Sequence, residues 1–398
     1  MWLSYASMGN SSNCSKKMSF SLYVHIPYCL SICPYCDFNA YAAQTWPEQR
    51  YMDALSEEFL YYVSSPAWQG HTLETIYFGG GTPSLFLPAS LERFLTLVAD
   101  QCPLASSLNI SLEADPASIT QEKLQGYRSI GIDRLSLGVQ SFEPTILKTL
   151  GRLHSGEEAL RAIELARAAD FSNLNIDVIF GVPGQTLAMF ERDLCQVFSC
   201  CPEHISAYGL TYEENTPFFA MRKKGMLQPL DEETELAMYS LIRSACANHG
   251  YEHYEISNFA RPGHASRHNI RYWQGESYLG LGAGAHSFGC TPDWGRRWSN
   301  IRNPKKYMDA ALTEGRACQF EETLSRDQAR GEYMFLNLRQ LDGMSLQAFS
   351  SRFGQAFFEE FPHAGDLIAH GLVTQTEAKV KLTAQGLLVA DSVFATFF

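Results

Sequence analysis

Three cysteines in one short segment carry the clearest chemical signal in this chain. Cys29, Cys33 and Cys36 follow the spacing C-x3-C-x2-C, and no fourth cysteine lies close by in the sequence. A [4Fe–4S] cluster commonly takes four thiolates, one for each iron. Three thiolates on one loop therefore predict a cluster whose fourth iron is open to a substrate or cofactor. The alternatives are a zinc site completed by His25, or three unrelated core cysteines.

A glycine run and three charged residues are the next candidates. The run Gly79 to Pro83 lacks the G-K-[ST] ending of a phosphate loop. Its backbone can approach a ligand closely, so its peptide groups can bond the amino and carboxylate groups of an amino-acid-like cofactor. Glu113, Arg152 and Asp177 add carboxylates for hydroxyl or ammonium groups and a guanidinium for a carboxylate. Taken singly, the run is also consistent with a plain turn, and each charge with a surface residue.

A histidine followed by aromatic residues forms a further candidate site, His268-Asn-Ile-Arg-Tyr-Trp273. Such a segment can ligate a haem iron and cover a porphyrin face. The alternative is that Tyr272 and Trp273 anchor the core and that His268 is a buried, hydrogen-bonded polar group. The nearby run Gly280-Leu-Gly-Ala-Gly-Ala285 has no surrounding βαβ unit, which argues against a dinucleotide site. We expect it to be a tight backbone segment packed against the mouth of the main fold.

Alternating strand and helix patterns in the first half must position these residues. The predicted strands are Leu22–Ile26, Thr75–Phe78, Asn109–Leu112, Arg134–Val139, Leu174–Phe180 and Ile205–Leu210. The predicted helices are Pro47–Val63, Ser90–Ala99, Thr120–Ser129, Ser155–Ala169 and Met189–Phe198, the fourth opening on a capping box. Six β/α units in this order predict an α/β fold with a parallel sheet, either a partial barrel or a doubly wound sheet. In both, ligands bind at the carboxyl ends of the strands, where the candidate residues lie.

The second half of the chain does not continue the regular alternation of strands and helices. A predicted helix at Glu232–Ala247 leads into an irregular stretch, rich in aromatic residues and glycine, that extends to about residue 300. The last hundred residues are predicted to be mostly helical and winged-helix-like, with a hairpin at Leu372–Leu382 and a final helix at Ala384–Val393. We therefore predict an N-terminal extension at 1–18, a partial barrel at 19–220, a barrel-closing segment at 221–300 and a helical domain at 301–398.

Composition excludes several classes of protein. With 45% hydrophobic and 19% charged residues, the 398-residue chain has an ordinary globular balance. A net charge of −12 argues against nucleic-acid binding. No apolar run approaches the roughly 18–20 residues of a membrane span, so we expect at most weak membrane association. The remaining cysteines show no disulfide framework and no export signal is evident, which predicts a cytoplasmic protein with reduced thiols.

Several segments together resemble one family of proteins. They are Tyr23-Val-His-Ile-Pro, Cys-Pro-Tyr-Cys-Asp-Phe38, Leu135-Ser-Leu-Gly-Val-Gln-Ser-Phe142, Gly151-Arg-Leu-His154 and Asn175-Ile-Asp-Val-Ile-Phe-Gly-Val-Pro-Gly-Gln185. With the six β/α units, they resemble the oxygen-independent coproporphyrinogen III oxidases of the radical S-adenosylmethionine (SAM) superfamily. Within that family the chain is most similar to the HemW branch, the haem chaperones. The resemblance runs from about residue 20 to the C-terminus.

The resemblance implies a partial (β/α)6 barrel of radical SAM type and roles for particular residues. Cys29, Cys33 and Cys36 would hold the [4Fe–4S] cluster, with SAM on the open iron. The residues that would bind SAM are Tyr23, Tyr35, Gly80, Gly81, Thr82 and Glu113, and Gln140, Arg152 and Asp177 match family positions that contact SAM or a second copy of it. In family chemistry, an electron from the reduced cluster splits SAM into methionine and a 5′-deoxyadenosyl radical, so an electron donor is also implied.

Two features of the sequence help to distinguish the HemW branch from the dehydrogenases of the family. The dehydrogenases of the family typically carry a further cysteine two positions after the third, where this chain has Phe38. The segment from His268 to Trp273 matches the HNxxYW signature associated with haem binding in HemW, which would make His268, Tyr272 and Trp273 haem contacts. The resemblance therefore implies a protein that binds haem and delivers it to haem proteins. The alternative is an enzyme that converts coproporphyrinogen III to protoporphyrinogen IX.

Overall fold

The computed structural model describes residues 18–291 and 293–398, so the predicted N-terminal extension lies, apart from Met18, outside the described residues. The strands are β1 Ser19–Ile26, β2 Tyr28–Cys29, β3 Tyr41–Ala42, β4 Thr72–Gly80, β5 Leu104–Ala114, β6 Arg134–Gln140, β7 Leu174–Phe180, β8 His204–Gly209, β9 Glu252–Glu255, β10 Asn258–Ala260, β11 Tyr278–Leu281, β12 His286–Gly289, β13 Arg296–Asn300, β14 Cys318–Thr323, β15 Met344–Ser345, β16 Val373–Gln375 and β17 Lys379–Leu382. The α-helices are α1 Glu48–Val63, α2 Pro88–Gln101, α3 Gln121–Ser129, α4 Pro144–Thr149, α5 Gly156–Ala168, α6 Leu187–Ser199, α7 Pro217–Lys223, α8 Glu232–Asn248, α9 Arg267–Trp273, α10 Pro304–Glu314, α11 Arg326–Leu338, α12 Leu346–Phe353, α13 Phe357–Glu360, α14 Ala364–Ala369, α15 Ala384–Leu388 and α16 Ala390–Ala395.

Six parallel strands form the centre of the main sheet in chain order, β1-β4-β5-β6-β7-β8. Each overlaps one of the six predicted strands: β7 has the predicted bounds, and β8 begins and ends one residue before the predicted strand. Side chains alternate along these strands: in β6, Leu135 and Leu137 belong to the large apolar core, whereas Arg134 and Ser136 line a cavity on the other face. All six predicted alternations of strand and helix are therefore confirmed.

The helices form a row along one face of the sheet. Contacts link α1 to α2, α2 to α3 and α3 to α5, and further along α6 packs on α8. The capping box predicted at the start of α5 is present, with the Ser155 hydroxyl accepting from Glu158 N at 3.2 Å. Inward side chains of β4–β8 line a cavity on the opposite face. This arrangement is that of a partial barrel, in which one face is packed by helices and the other is open to ligand.

Short strands extend both edges of the parallel set. On one edge β11 pairs parallel with β1, and β12, β13 and β14 follow in antiparallel order; on the other, β10 and β9 follow β8. The stretch predicted to be irregular up to about residue 300 thus contains five short strands and α9. The prediction was wrong because segments of three to five residues have too little periodicity to identify them, and they become strands by pairing with an existing edge.

The C-terminal region has its own apolar core, which begins at Leu324 and ends at Phe397. The predicted hairpin is confirmed as the antiparallel pair β16–β17, and β15 adds a third strand. The predicted final helix is instead two, α15 and α16, because Val389 between them leaves helical geometry with φ −126° and ψ 32°. Helix α10 and Ala317 pack into the large core of the barrel. The division into domains stays a prediction.

Candidate functional site

The loop that carries the three cysteines is closed at its base. The short strands β2 and β3 pair across it, and Ala43 N donates to the Cys29 carbonyl at 2.9 Å. Within the loop, Cys36 N donates to the Cys33 carbonyl at 3.1 Å, which forms a tight turn. The Asn39 side chain then bonds the carbonyls of Ala283 and Arg302 at 2.8 and 2.9 Å. These contacts hold the cysteine loop at the carboxyl end of β1, where sequence analysis predicts it.

The surroundings of the cysteines fit an iron–sulfur cluster. The Thr82 hydroxyl donates to Cys29 Sγ at 3.4 Å and the Arg152 guanidinium donates to Cys33 Sγ at 3.5 Å. Both contacts stabilise sulfur that carries negative charge. A Cβ at Gly81 would lie 2.8 Å from the Tyr28 carbonyl oxygen and 3.0 Å from Cys29 Sγ, so only glycine allows this close approach. In 18–291 and 293–398, no three His, Cys, Asp or Glu side chains, the three cysteines included, converge on a position where together they could hold a single metal ion.

Burial and mutual repulsion act on the thiols. Burial raises the pKa of Cys36 to about 11, and the neighbouring Cys33 and Cys29 add to the rise. Burial likewise raises the pKa of Cys29. Iron binds the thiolate and not the thiol, so metal would have to displace these protons. Without a bound cation, Cys29 and Cys36 therefore favour the thiol form, and a bound cation would shift them to the thiolate form by balancing the negative charge.

Eleven of the predicted site residues line one cavity of about 1030 Å³, which we call the cysteine cavity. They are Cys29, Cys33, Cys36, Tyr35, Gly80, Gly81, Thr82, Glu113, Gln140, Arg152 and Asp177. Leu387 to Ser392 of the C-terminal region line the same cavity. The rim predicted from strand ends is thus a real concave surface with the cysteine loop at one side.

Glu113 is the carboxylate next to the glycine run. It accepts from the Tyr77 hydroxyl at 2.8 Å and from Gly80 N at 3.1 Å. Burial raises its pKa to about 7, and the hydrogen bonds from Tyr77 and Gly80 oppose that rise. Gly80 has φ +117°, and a Cβ there would lie 2.6 Å from the His25 ring. The glycine is required by both conformation and space, and it brings a backbone amide to the carboxylate.

Arg152 lies between the cysteine loop and a carboxylate that sequence analysis did not single out. Its guanidinium pairs with Asp115 at 2.6 Å and donates to the Gly138 carbonyl at 2.8 Å. Asp115 directly follows β5, so its position after a strand was the signal that could have identified it. Gln140 ends β6 in a left-handed conformation, φ 68°, with its side-chain oxygen unpaired. Gln140 lines the cavity, and its unpaired oxygen is itself buried.

Asp177 belongs to a polar network on the inner face of the sheet. It accepts from Asn175 Nδ2 at 2.7 Å and from the Ser136 hydroxyl at 3.3 Å, and burial raises its pKa. Asn175 in turn contacts His204 Nδ1 at 2.6 Å. Sequence analysis missed this network, as well as Arg134, a buried cation in the same cavity. The alternation of β6, in which Arg134 and Ser136 share a face, was the available signal.

A second cavity of about 670 Å³ adjoins the first, and we call it the aromatic cavity. Its wall includes the aromatic side chains Tyr23, Phe38, Tyr272, Trp273, Tyr278, Phe288, Tyr333 and Phe335. Four residues, Asp37, Phe38, Gly80 and Glu113, line both cavities and form a shared wall. Phe38, which stands where the dehydrogenases have a further cysteine, is 67% exposed in that wall. Other parts of the aromatic cavity come from α9, β11–β13 and α11, from Tyr23 and His25 of β1, and from loop residues that include Arg302.

The residues of the HNxxYW segment lie in two different environments. Tyr272 and Trp273 line the aromatic cavity, whereas His268 lines neither cavity and is 1% exposed. Its Nδ1 contacts the Thr75 hydroxyl at 2.7 Å and its Nε2 contacts the Tyr272 hydroxyl at 2.8 Å. Burial lowers its pKa to about 3. In this geometry both ring nitrogens are engaged, so His268 holds Tyr272 in place and has no nitrogen free for iron.

Comparisons with known proteins agree with this architecture. Residues 23–194 match the Radical SAM superfamily and residues 324–389 match the HemN C-terminal domain. The heme chaperone HemW of Bacillus subtilis (strain 168) is 36% identical over 379 residues, covering 95% of this chain and 98% of that protein. The chain belongs to the HemW family. HemW of Escherichia coli (strain K12) is 33% identical over 382 residues, 95% of this chain and 97% of that protein.

A solved structure also matches nearly the whole chain. Coproporphyrinogen III oxidase (HemN) from Escherichia coli, described as a radical SAM enzyme, superposes with a TM-score of 0.82 at 25% identity. The match covers 96% of this chain and 90% of that one. The predicted fold is thereby confirmed as a radical SAM α/β fold with a helical C-terminal domain. HemW family membership implies a [4Fe–4S] cluster and SAM. Among the described residues, no helix has the length and apolarity to span a bilayer.

Proposed function

We propose that this chain is a radical-SAM-type [4Fe–4S] protein that binds haem and delivers it to haem proteins. Full-length similarity to HemW proteins supports the proposal. The structural observation that carries it is the aromatic cavity, since a volume of about 670 Å³ lies within the range of roughly 300–1,000 Å³ typical of small-molecule sites. Flat aromatic side chains and a predominantly apolar wall suit a planar macrocycle.

The same proposal assigns cofactors to the cysteine cavity. Cys29, Cys33 and Cys36 would each hold one iron of the cluster. SAM would lie against the glycine run and the polar residues, namely Tyr35, Gly80, Gly81, Thr82, Glu113, Gln140, Arg152 and Asp177. Tyr23, the remaining residue proposed to bind SAM, lines the adjoining aromatic cavity and not the cysteine cavity. The cluster and SAM, when bound, supply one-electron chemistry, and the protein supplies orientation and exclusion of competing reactions. An external electron donor would then be a partner, alongside haem and the haem-acceptor proteins, in the cytoplasm.

A second candidate function is the oxidative decarboxylation of coproporphyrinogen III. The similarity to HemN over nearly the full length favours it. Phe38 at the position of the further cysteine argues against it, because an aromatic ring cannot replace a thiol in ligation, acid–base or redox chemistry. Both candidates use a tetrapyrrole, so the two differ in whether the bound molecule is carried or converted.

One preparation separates the two functions. Protein reconstituted anaerobically, with iron and sulfide measured, is first titrated with haem and followed by its Soret absorbance. The haem-loaded protein is then mixed with an apo-b-type cytochrome, and transfer is followed by the spectrum of the acceptor. In parallel, the unloaded protein is incubated with coproporphyrinogen III, SAM and a strong reductant. We expect haem binding and transfer without protoporphyrinogen; many turnovers to protoporphyrinogen would establish the enzyme instead.

A further inference from the structure

One face of the edge strands β11–β13 forms the floor of the aromatic cavity. Side chains alternate along a strand, so residues two apart share a face. His286 and Phe288 of β12 and Arg297 of β13 line the cavity, whereas Ser287 and Trp298 between them are buried on the opposite side. His286 pairs with Ser299 and Phe288 with Arg297 in the antiparallel ladder. The register thus places one imidazole in a predominantly apolar cavity.

The glycine run that precedes β12 fixes the position of this imidazole. Gly282 and Gly284 have φ +103° and +77°, in the left-handed region. A Cβ at Gly282 would lie 2.4 Å from the His25 carbonyl oxygen, and one at Gly284 would lie 2.6 Å from Asn39 Nδ2. Both glycines therefore allow the turn to pack against β1 and the cysteine loop. The tight segment expected from the sequence brings His286 beside that loop.

The three histidines of this region differ in availability. His25 lines the aromatic cavity, but its Nδ1 contacts the Tyr23 hydroxyl at 3.1 Å and its Nε2 contacts the Asn39 carbonyl at 2.9 Å. Both ring nitrogens of His268 are within hydrogen-bond distance of hydroxyl groups, at 2.7 and 2.8 Å. His286 is solvent-exposed, and in 18–291 and 293–398 neither of its ring nitrogens has a hydrogen-bond partner. Neutral imidazole with a free nitrogen is the common histidine ligand of metals. Only His286 can present that nitrogen to the aromatic cavity without breaking existing bonds.

A cation beside His286 suits the acidic substituents of haem. Arg302 lines the same cavity, is exposed, and has no ion-pair partner in the described part of the chain. Arg297, by contrast, is already paired with Glu332 at 2.6 Å. A free guanidinium binds carboxylate bidentately and strongly. Arg302 can therefore receive a propionate while Arg297 remains neutralised.

We propose that His286 is the protein ligand of the haem iron in the aromatic cavity, with Arg302 pairing with a propionate. This inference rests on the proposed haem-carrying function and names its site. Tyr272 and Trp273 then contact the macrocycle, while His268 is a positioning residue that orients Tyr272. Partial burial, together with the nearby Arg302 and Arg297, lowers the pKa of His286.

The test compares haem binding by the full chain and by three variants. We expect His286→Ala to weaken haem binding at least tenfold. We also expect it to change the absorption and electron paramagnetic resonance spectra of the bound haem, because the iron loses its protein ligand. Added imidazole should restore the original spectra, because it fills the space left by the side chain. His286→Met should retain binding with a changed spectrum, since thioether sulfur also ligates haem iron. His370→Ala, at an exposed histidine that lines neither cavity, is the matched control and should bind as wild type.

The outcomes distinguish the inference from the function on which it rests. Wild-type protein that binds haem while His286→Ala keeps the same affinity and spectra would refute the ligand assignment and leave haem carrying intact. Wild-type protein with its cluster but without haem binding would refute both. Circular dichroism and iron content of each variant show that the fold and cluster are retained.

Discussion

The two adjoining cavities are built in different ways. The cysteine cavity takes its predicted site residues from loops and strand ends of successive β/α units, and its polar residues lie close in sequence to recognisable strands. The aromatic cavity is assembled from the cysteine loop, α9, β11–β13 and α11, which are separated by up to three hundred residues. One cavity offers thiols, carboxylates and a guanidinium, and the other offers mainly aromatic rings. Under the proposed function, cofactor chemistry and cargo binding would therefore occupy separate compartments of one fold.

Loss of one cluster ligand should give the largest effect and test that separation. We expect Cys33→Ala to abolish assembly of the [4Fe–4S] cluster, because two thiolates on the loop leave two irons without protein ligands. Haem affinity should remain within a few-fold of wild type, since Cys33 does not line the aromatic cavity. Iron and sulfide analysis and a haem titration measure the two properties. Cys195→Ala, at an exposed thiol, is the control; four irons retained in Cys33→Ala would contradict the assignment.

A substitution in the shared wall should destabilise the protein itself. Gly80→Ala places a Cβ 2.6 Å from the His25 ring at φ +117°, so we expect a loss of about 3 kcal/mol in the free energy of unfolding. Urea denaturation of the metal-free protein measures it. Gly70→Ala, at φ +77° with nothing within 4 Å, carries conformational strain without a clash. Its cost should be about 1 kcal/mol. Equal losses at the two glycines would show that the His25 contact is unimportant.

The raised pKa of Glu113 predicts a pH dependence of stability that arises in the wall shared by the two cavities. Its pKa of about 7 in the fold exceeds the ordinary 4.5, so the folded state retains a proton that the unfolded state has lost. Stability from this group is therefore full below pH 4.5 and is lost as the pH rises to about 7. We expect Glu113→Gln to reduce the stability lost between pH 5 and pH 8 by about 2 kcal/mol.

The control for that pH dependence is Glu158→Gln in the exposed capping box of α5. Hydrogen bonds from Ser155 lower the pKa of Glu158, so its titration lies below this pH interval. Urea denaturation at pH 5 and pH 8 on metal-free wild type and both variants gives the comparison. An unchanged pH dependence in Glu113→Gln would mean that this carboxyl group titrates as an ordinary one. Burial also raises the pKa of Glu58 to about 7, so both variants should still lose some stability as the pH rises from 5 to 8.

The smallest expected effect concerns the aromatic ring in the shared wall. Phe38→Ala removes one aromatic contact with the proposed macrocycle, worth about 1 kcal/mol, and should weaken haem binding about fivefold. Cluster content should not change. Leu187→Ala, at an exposed apolar residue that lines neither cavity, is the control. Unchanged haem affinity in Phe38→Ala would place the macrocycle farther from the cysteine loop than proposed.

Sequence reasoning was most successful where local pattern and position coincide. The six parallel strands and the cysteine loop follow from apolar runs and from the rule that ligands bind at strand carboxyl ends. The Arg152–Asp115 pair and the network around Asn175 were missed because side-chain contacts between strands depend on register. His268 was a candidate ligand by type and spacing, but its hydroxyl partners Thr75 and Tyr272 are visible only in three dimensions. That the ring nitrogens of His286 lack partners is likewise visible only in three dimensions, since β12 is too short to be predicted from the sequence.

The wall shared by the two cavities has a thermodynamic consequence. Asp37, Phe38, Gly80 and Glu113 each line both cavities, so occupants of the two cavities would contact the same four residues. If SAM changes the affinity for the tetrapyrrole by some factor, the tetrapyrrole must change the affinity for SAM by the same factor. Under the proposed function, SAM that is bound without being cleaved would then act as an effector of cargo retention and release.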